Sequence, residues 1–294
     1  MNYLARLSIA LLAVYLLSAC GGIAQVPTPT PVPPTATPAP TATPVPPTPT
    51  PAPETGALIS AALLKTAAAT SYRIAVQVSG KGSLQGVSLG STEAEILNLT
   101  GAFSDGDLEY ALKGSLASLL GVDPATGLQI ATVDGTSYMR GPVPFLGATE
   151  QIWYRLSAAQ SVLTNPSLTA GALGTFFPAR PVGFEADGSE TIADLACTIY
   201  AGDKAAIEAA IDDLSTSGLP GADALANADT AELRAWICDD GYIHRVRLAF
   251  SGSGVAQGDE GFGFTTLVDL SDFGTTITIK KPADARDLTP PAAP

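Results

Sequence analysis

Four Asp-Gly pairs, Asp105-Gly106, Asp134-Gly135, Asp187-Gly188 and Asp240-Gly241, punctuate the chain between stretches rich in β-branched and aromatic residues. Both residue types tolerate positive φ, the backbone state that a two-residue hairpin turn needs at its centre. The flanks suit strands: "ILNLTGAF" and "LEYALKGSL", "LQIATV" and "TSYMR", "LRAWICD" and "YIHRVRLAF". Ahead of them, "YRIAVQVS" alternates so that Tyr72, Ile74, Val76 and Val78 point one way and Arg73, Gln77 and Ser79 the other, a half-buried strand. Four successive hairpins describe an antiparallel meander, and "GFGFTTLVDLSDFGTTITI" (Gly261–Ile279) is expected to end the sheet. Helical spacing of Leu58, Ile59, Ala62, Leu63 and Thr66 within Ala57–Ala69 predicts a leading helix. Two further helical segments are predicted near Ser157–Leu163 and at Lys204–Leu214, "KAAIEAAIDDL". A large antiparallel sheet with a few helices is α+β.

The first 54 residues have another purpose. Leu7–Leu17 carries no charge and follows a short segment with one arginine, Arg6. Eleven residues are too few to span a bilayer, which takes about 20, but they suit the apolar core of a signal peptide. Leu17-Ser18-Ala19-Cys20 resembles a bacterial lipobox, in which residues 1–19 are removed and the Cys20 thiol receives a diacylglycerol. The simpler alternative is a plain signal peptide with a chance cysteine. Two or three acyl chains on Cys20 suffice for stable attachment, because burial contributes roughly 0.8 kcal/mol per CH₂. The protein is thus expected on a cell membrane, lipid-anchored and on its extracytoplasmic face.

From Val26 to Pro53, 13 of 28 residues are proline and eight are threonine, a composition that excludes helix and core alike. In polyproline II, at about 3.1 Å per residue, residues 26–53 would reach roughly 85 Å. Residues 20–54 therefore read as lipidated cysteine plus linker, either a stalk or a neutral tether. Residues 55–285 form the one folded domain, and 286–294 a short Pro-rich tail expected to be disordered.

The formal charge is −13, and loss of Arg6 with the signal makes it −14. With its six lysines and nine arginines scattered, the chain excludes nucleic acid as a partner and electrostatic adsorption to anionic headgroups. Cys197 and Cys238, in two predicted strands of an exported chain, are most simply a disulfide. The rival, free thiols or a metal pair, lacks partners: the chain has one histidine and no cysteine besides Cys20. No metal and no cofactor is expected.

His244 is the only histidine, so any Ser-His-Asp or Cys-His system must use it. Alternation along "YIHRVRLAF" puts Tyr242, His244, Val246, Leu248 and Phe250 on one face and Ile243, Arg245, Arg247 and Ala249 on the other. A histidine on an apolar strand face is usually a core residue, and no G-x-S-x-G elbow supplies a nucleophile. Asp105, Asp107 and Glu109 in "DGDLEY" lack the ligand spacing of a calcium loop. No catalytic residue is assigned. The strands do offer apolar surface: Ile74, Val76, Val78, Val246, Leu248 and Phe250 are candidates to line an apolar pocket, or simply core.

The order and spacing of several strings across Ala57–Ala285 resemble the LppX/LprG (LprA/LprF/LprG) type of envelope lipoprotein, a LolA-like half-barrel family. They are the Ala/Leu helix leading into "SYRIAVQVSG", "VDGTSYMR" followed by "IWYRLS", "GSETIADLACTIYAG" before a helix, "LRAWICDDGYIHRVRLAF" and "DLSDFGTTITIKKPADA". The resemblance implies a strongly curved antiparallel sheet with helices over its concave face and an apolar pocket between them. It further implies a non-enzymatic carrier that binds acylated lipids or lipoglycans and moves them across the envelope; the expected partners are an acyl lipid or glycolipid ligand and, as one option, an envelope transporter. The long Pro/Thr tract and the Cys197–Cys238 pair depart from the pattern. Two other readings stand beside it: a surface-displayed structural or sensory module that binds a protein, and an envelope hydrolase built on His244.

Overall fold

The structure, a computed structural model, describes residues 54–84, 87–119, 121–157, 170–216, 228–253 and 261–288. Residues 1–53, with the signal segment, Cys20 and nearly all of the linker, lie outside them, as does the helix expected near Ser157–Leu163 beyond Ser157 itself. Among the described residues no helix is long and apolar enough to cross a membrane.

Helix α1 (Thr55–Ala67) opens the domain. Six strands follow: β1 (Ser71–Leu84), β2 (Val87–Ser104), β3 (Asp107–Lys113), β4 (Leu128–Val133), β5 (Thr136–Arg140) and β6 (Trp153–Arg155), with the short α2 (Ser115–Leu119) after β3. A 3₁₀ segment, Ala170–Phe176, leads to β7 (Glu185–Ile192), β8 (Leu195–Asp203), α3 (Lys204–Thr216), β9 (Thr230–Cys238), β10 (Ile243–Gly252), β11 (Phe262–Ser271) and β12 (Arg286–Asp287). All twelve strands share one curved, unclosed sheet in the order β12-β6-β5-β4-β3-β2-β1-β11-β10-β9-β8-β7. It is two antiparallel meanders, β1–β6 and β7–β11, joined where β1 pairs with β11 from Arg73↔Ser271 to Lys81↔Gly263. The architecture is the α+β half-barrel expected from the sequence, with one parallel pairing, β12 on β6, that makes the sheet mixed.

Three of the four Asp-Gly pairs are hairpin turns. Asp105-Gly106 (φ 50° and 97°) and Asp134-Gly135 (φ 50° and 71°) fill two-residue turns with both residues at positive φ, the type I′ geometry. Asp240-Gly241 lies in the four-residue turn between β9 and β10. Asp187-Gly188 is a correction: it sits inside β7, where the register with β8 shifts between Ala186 and Ser189. A left-handed glycine (Gly188, φ 104°) serves a bulge as well as a turn. The β7–β8 turn is instead Ala193-Asp194, at φ 47° and 67°.

The end of the chain also departs from expectation. After β11, Thr275–Ile279 alternates like a strand but pairs with none, and the chain continues to β12 beside β6. Gly274 N–H donates to the Ser71 carbonyl, Ser71 Oγ donates to the Thr275 carbonyl, and Leu288 N–H donates to the Arg155 carbonyl. The segment 272–288 therefore straps the width of the first meander. Between its ends, in one register row on the outer face, Ala102, Ala131 and Tyr138 are buried while Glu109 between them reaches solvent, and Ile279 of the strap is buried too. Arg286, Asp287 and Leu288, assigned to the tail from sequence, are thus part of the fold, with Leu288 buried. Their polar, Pro-flanked sequence hides a pairing that spans too few residues for periodicity to reveal.

Candidate functional site

Strand register assembles the inner face of the sheet. Leu128, Leu112, Leu99, Val76, Val268, Val246, Ala235 and Tyr200 are successive partners across β4, β3, β2, β1, β11, β10, β9 and β8. One row of eight strands thus turns only apolar or aromatic groups inward. On β9, β10 and β11 residues next to that row face outward and carry charge. Arg245 binds Asp269 (2.6 Å) and Glu190 (3.2 Å); Arg247 binds Glu232 (3.2 Å); Arg234 binds Glu232 (2.8 Å) and Asp187 (3.1 Å). Such exposed pairs contribute about 0–1 kcal/mol each; their sorting to one face matters more, because it leaves the other face dry.

Three elements cover that dry face. Helix α1 turns Ile59, Ala62 and Thr66 inward, and Thr66 Oγ1 accepts the Ile243 N–H at 3.0 Å. Helix α3 contributes Ile207, Ala210 and Ile211. The 3₁₀ segment adds Ala170 and Leu173, followed by Phe177 and Phe184, whose rings lie 5.8 Å apart. The Phe184 ring lies so close over Gly202 that a Cβ there would come within 2.8 Å of it, so glycine makes the seat. The Tyr72 hydroxyl accepts the Ala170 N–H at 2.8 Å, tying β1 to this cover. Burial raises the Tyr72 pKa, partly offset by that hydrogen bond.

The six candidate pocket residues meet in this one interior. Val76, Val246 and Leu248 are fully buried, while Ile74, Val78 and Phe250 are half-buried against the same cluster. Leu99, Leu233, Val268 and Leu270 complete the strand lining and were not singled out from sequence. Leu233 and Ala235 alternate in "LRAWICD", so the signal was there. At one end an aromatic group continues the lining: Phe250 stacks on Phe264 (5.5 Å) and meets Phe262 edge-on (6.3 Å). Gly80 leaves room for the Phe264 ring, which a Cβ would approach to 2.8 Å.

A separate cleft of about 290 Å³ opens over the same strand ends, lined mainly by outward-facing Lys81, Glu93, Thr230, Glu232, Ser251 and Thr265. Apart from the Thr265 hydroxyl, its hydroxyls and carboxylates are already engaged: Thr230 with Ser251, Glu93 with Ser79, Glu232 with Arg234 and Arg247. A second, smaller core lies under α2, made of Ala117, Val122, Leu128, Ile130, Met139, Val143, Ala148, Tyr154, Leu156 and Leu288.

His244 is buried, as its alternation implied, but Ile243 is buried too, in the main interior. A bulge between Ile243 and Arg245 breaks the alternation and brings both inside, a correction to the expected outward Ile243. His244 Nε2 lies 2.9 Å from Asp240 Oδ2, and its ring stands edge-on to Phe273, which stacks flat on Tyr242 at 4.3 Å. Asp240 Oδ1 accepts the Tyr242 N–H, so the pair shapes the β9–β10 turn. The acidic "DGDLEY" turn has a structural use as well: Asp107 Oδ1 accepts the Asp134 N–H, joining two hairpin turns. Among the described residues no three His, Cys, Asp or Glu side chains converge on a common point. Cys197 and Cys238 are directly paired in β8 and β9 and are bonded to each other. They lie on the outer face with Trp236, whose Nε1–H donates to Glu190 at 2.7 Å.

No protein-family model matches the chain, and no curated protein does. Among solved structures, LprF from Mycobacterium bovis is similar at 13% identity, with 78% of this chain and 96% of that chain covered and a TM-score of 0.44. The lipoprotein LppX of Mycobacterium tuberculosis aligns at 15% identity over 76% of this chain and 97% of its own, TM-score 0.36. A DUF1329 family protein from Desulfovibrio piger follows at 10% identity, 76% and 94% coverage and TM-score 0.22. LprF and LppX are of the type that the sequence resembles. With these three TM-scores below one half, the fold of this chain rests on its own strand ladders.

Proposed function

We propose that this chain is a membrane-anchored, non-enzymatic lipoprotein that binds acyl lipids or glycolipids between its sheet and helices and carries them within or across the cell envelope. The observation that carries the reading is the apolar row across six strands, Leu99, Val76, Val268, Val246, Ala235 and Tyr200, covered by separate elements, with Ile74, Val78 and Phe250 half-buried beside it. Acyl chains are the ligands such a surface favours, at about 25 cal/mol per Å² buried. The lipobox-like sequence at Cys20 supplies the anchor, and an envelope transporter is the partner a carrier would hand to. Exchange requires the cover to move. The segment Asn165–Phe184 is the proposed gate; its described part, from Ala170, packs Leu173 and Phe177 on the interior. Engineered disulfides that lock it to β1 should stop lipid exchange.

The test is native mass spectrometry of the chain purified gently from a lipid-rich bacterial host, followed by solvent extraction. A species of acyl-lipid mass released on denaturation supports the carrier and identifies its ligand class. A bare protein that also refuses added lipid rejects it in favour of a surface-displayed module that binds a protein partner.

A further inference from the structure

Among the described residues, the large hydrophobic side chains left exposed are Leu58 (37%), Leu64 (74%) and Val182 (75%). Two of them are on α1, and the third is its neighbour: a Cβ on Gly56 would stand 2.7 Å from the Pro181 carbonyl, so residues 181–182 lie against the first turn of the helix. Around the helix, at 100° per residue, Ala57, Leu58, Ala61, Leu64, Lys65 and Ala68 fall on one contiguous solvent face, and all six are exposed. The one charge among them is turned aside, because Lys65 Nζ donates to the Asp240 carbonyl and lies 4.4 Å over the Tyr242 ring. A helix on a globular surface normally presents polar residues outward, and α3, on the same interior, exposes Glu208. Helix α1 is apolar on both sides.

We propose that the solvent face of α1, with Val182, is a bilayer-docking surface. The inference rests on the reading that Cys20 anchors the chain. The occupant follows from where the preceding chain ends: residues 1–53 run directly into α1, so the helix is the first part of the domain on its tether. Pro-rich linkers as a class persist over only several residues, so a tether of this composition and length is compatible with α1 meeting the membrane that holds Cys20. The net charge of −13 excludes attraction to anionic headgroups, so contact is by insertion of leucine and valine, and zwitterionic lipid suffices. Ile59 and Ala62 on the other side of α1 close the apolar interior. One helix would then separate bilayer from binding site, and docking would bring lipid beside the proposed gate, whose Pro181 carbonyl lies against Gly56 of α1.

The test uses the full chain, processed in a bacterial host, with Leu64→Trp in phosphatidylcholine vesicles that carry brominated acyl chains. Glu208→Trp is the control, and emission is read against the unsubstituted chain. At least twofold stronger quenching of the tryptophan at position 64 than of that at 208 is expected, lost when Leu58→Glu is added. Val182→Trp gives the same readout from outside the helix, should the substitution at Leu64 disturb it. If the chain floats with the vesicles but neither position is quenched, the domain stands off on its tether: docking is overturned and the anchor survives. A chain that stays in solution unquenched removes both. If the added tryptophan is shielded before vesicles are present and the protein sediments as a dimer, the face belongs to a second copy and the proposal falls.

Discussion

The two cores of this protein are built from the same sheet but covered in different ways. The smaller one, around Ile130 and Met139, is closed mostly by chain that lies next to it in sequence: α2 and Val122 follow β3 directly, and the Val143–Ala148 bridge follows β5, while Leu288 alone comes from the far end of the chain. The larger interior, around Leu233 and Val246, is closed by α1, by Ala170–Phe177 and by α3, drawn from three distant parts of the chain. Local cover makes a plug. Distant cover makes a set of parts that touch the sheet through side chains and a few hydrogen bonds, such as Ala170 to Tyr72 and Ile243 to Thr66. A binding site needs the second kind.

Four experiments bear on that contrast. Replacing Cys197 and Cys238 by serine should cost about 4 kcal/mol in urea unfolding, the loop-entropy value for a separation of 41 residues. Hydrogen exchange should place the loss in β8–β10 beside the large interior and leave β4–β5 protected; equal loss in both would mean that the cores unfold as one. Next, Leu233→Ala and Ile130→Ala should each cost about 2–5 kcal/mol, because both side chains are buried. Added phospholipid at 100 times its Kd should return about 2.7 kcal/mol wherever the large interior is intact enough to bind. Calorimetry of the Ile130→Ala protein should show that shift in full, and a smaller shift for Leu233→Ala would locate the ligand. Third, Phe250→Ala removes a half-buried ring and should cost about 1–2 kcal/mol, below the value for a fully buried ring. Lipid recovered with the protein should fall severalfold. Leu112→Ala, half-buried against the small core, should leave recovery unchanged.

The smallest effect is acid sensitivity. Each region has an exposed aspartate tying down a turn: Asp123 accepts the Thr126 and Ala125 N–H groups, and Asp229 accepts the Ser253 hydroxyl and N–H. These hydrogen bonds hold both carboxyls below the ordinary value of 3.8. The unfolded chain therefore takes up protons first, and the stability each supplies is complete above that value and lost as pH falls through the folded one. The urea midpoint should decline slightly below about pH 4. Asp123→Asn and Asp229→Asn should each flatten the decline; an unchanged slope would remove these turns as its source.

Much of the fold could be read from residues alone. The strands around Asp105-Gly106 and Asp134-Gly135 are where the alternation put them, because a turn with both residues at positive φ leaves few sequences to choose from. Helices α1 and α3 were legible from spacing. Asp187-Gly188 misled because a bulge draws on the same backbone freedom as a turn, while the real turn uses Ala193, which carries no such signal. The outward assignment of Ile243 failed for a related reason, since one bulge reverses the face of every residue before it. The six strand residues named as pocket candidates share the interior face, as alternation implies, but which lie deep and which at the edge depends on covers placed by tertiary contacts. The apolar outer face of α1 stood in plain view in "ALISAALLKTAAA", where a run hydrophobic all round gives no clue to which side the sheet takes.

The junction of the two meanders has a consequence in time. Lys81 and Gly263 are 182 positions apart, and Arg73 and Ser271 are 198 apart. Contacts of that sequence separation slow folding, because the intervening chain must be ordered before they form. Under the proposed export, amino end first, β1 would emerge with one neighbour missing and would wait for β11 through the delivery of nearly the whole domain. The strap arrives later still. The β1–β11 seam could then close only after residue 262 had been delivered, and a chain halted before that point would hold a sheet open along its middle.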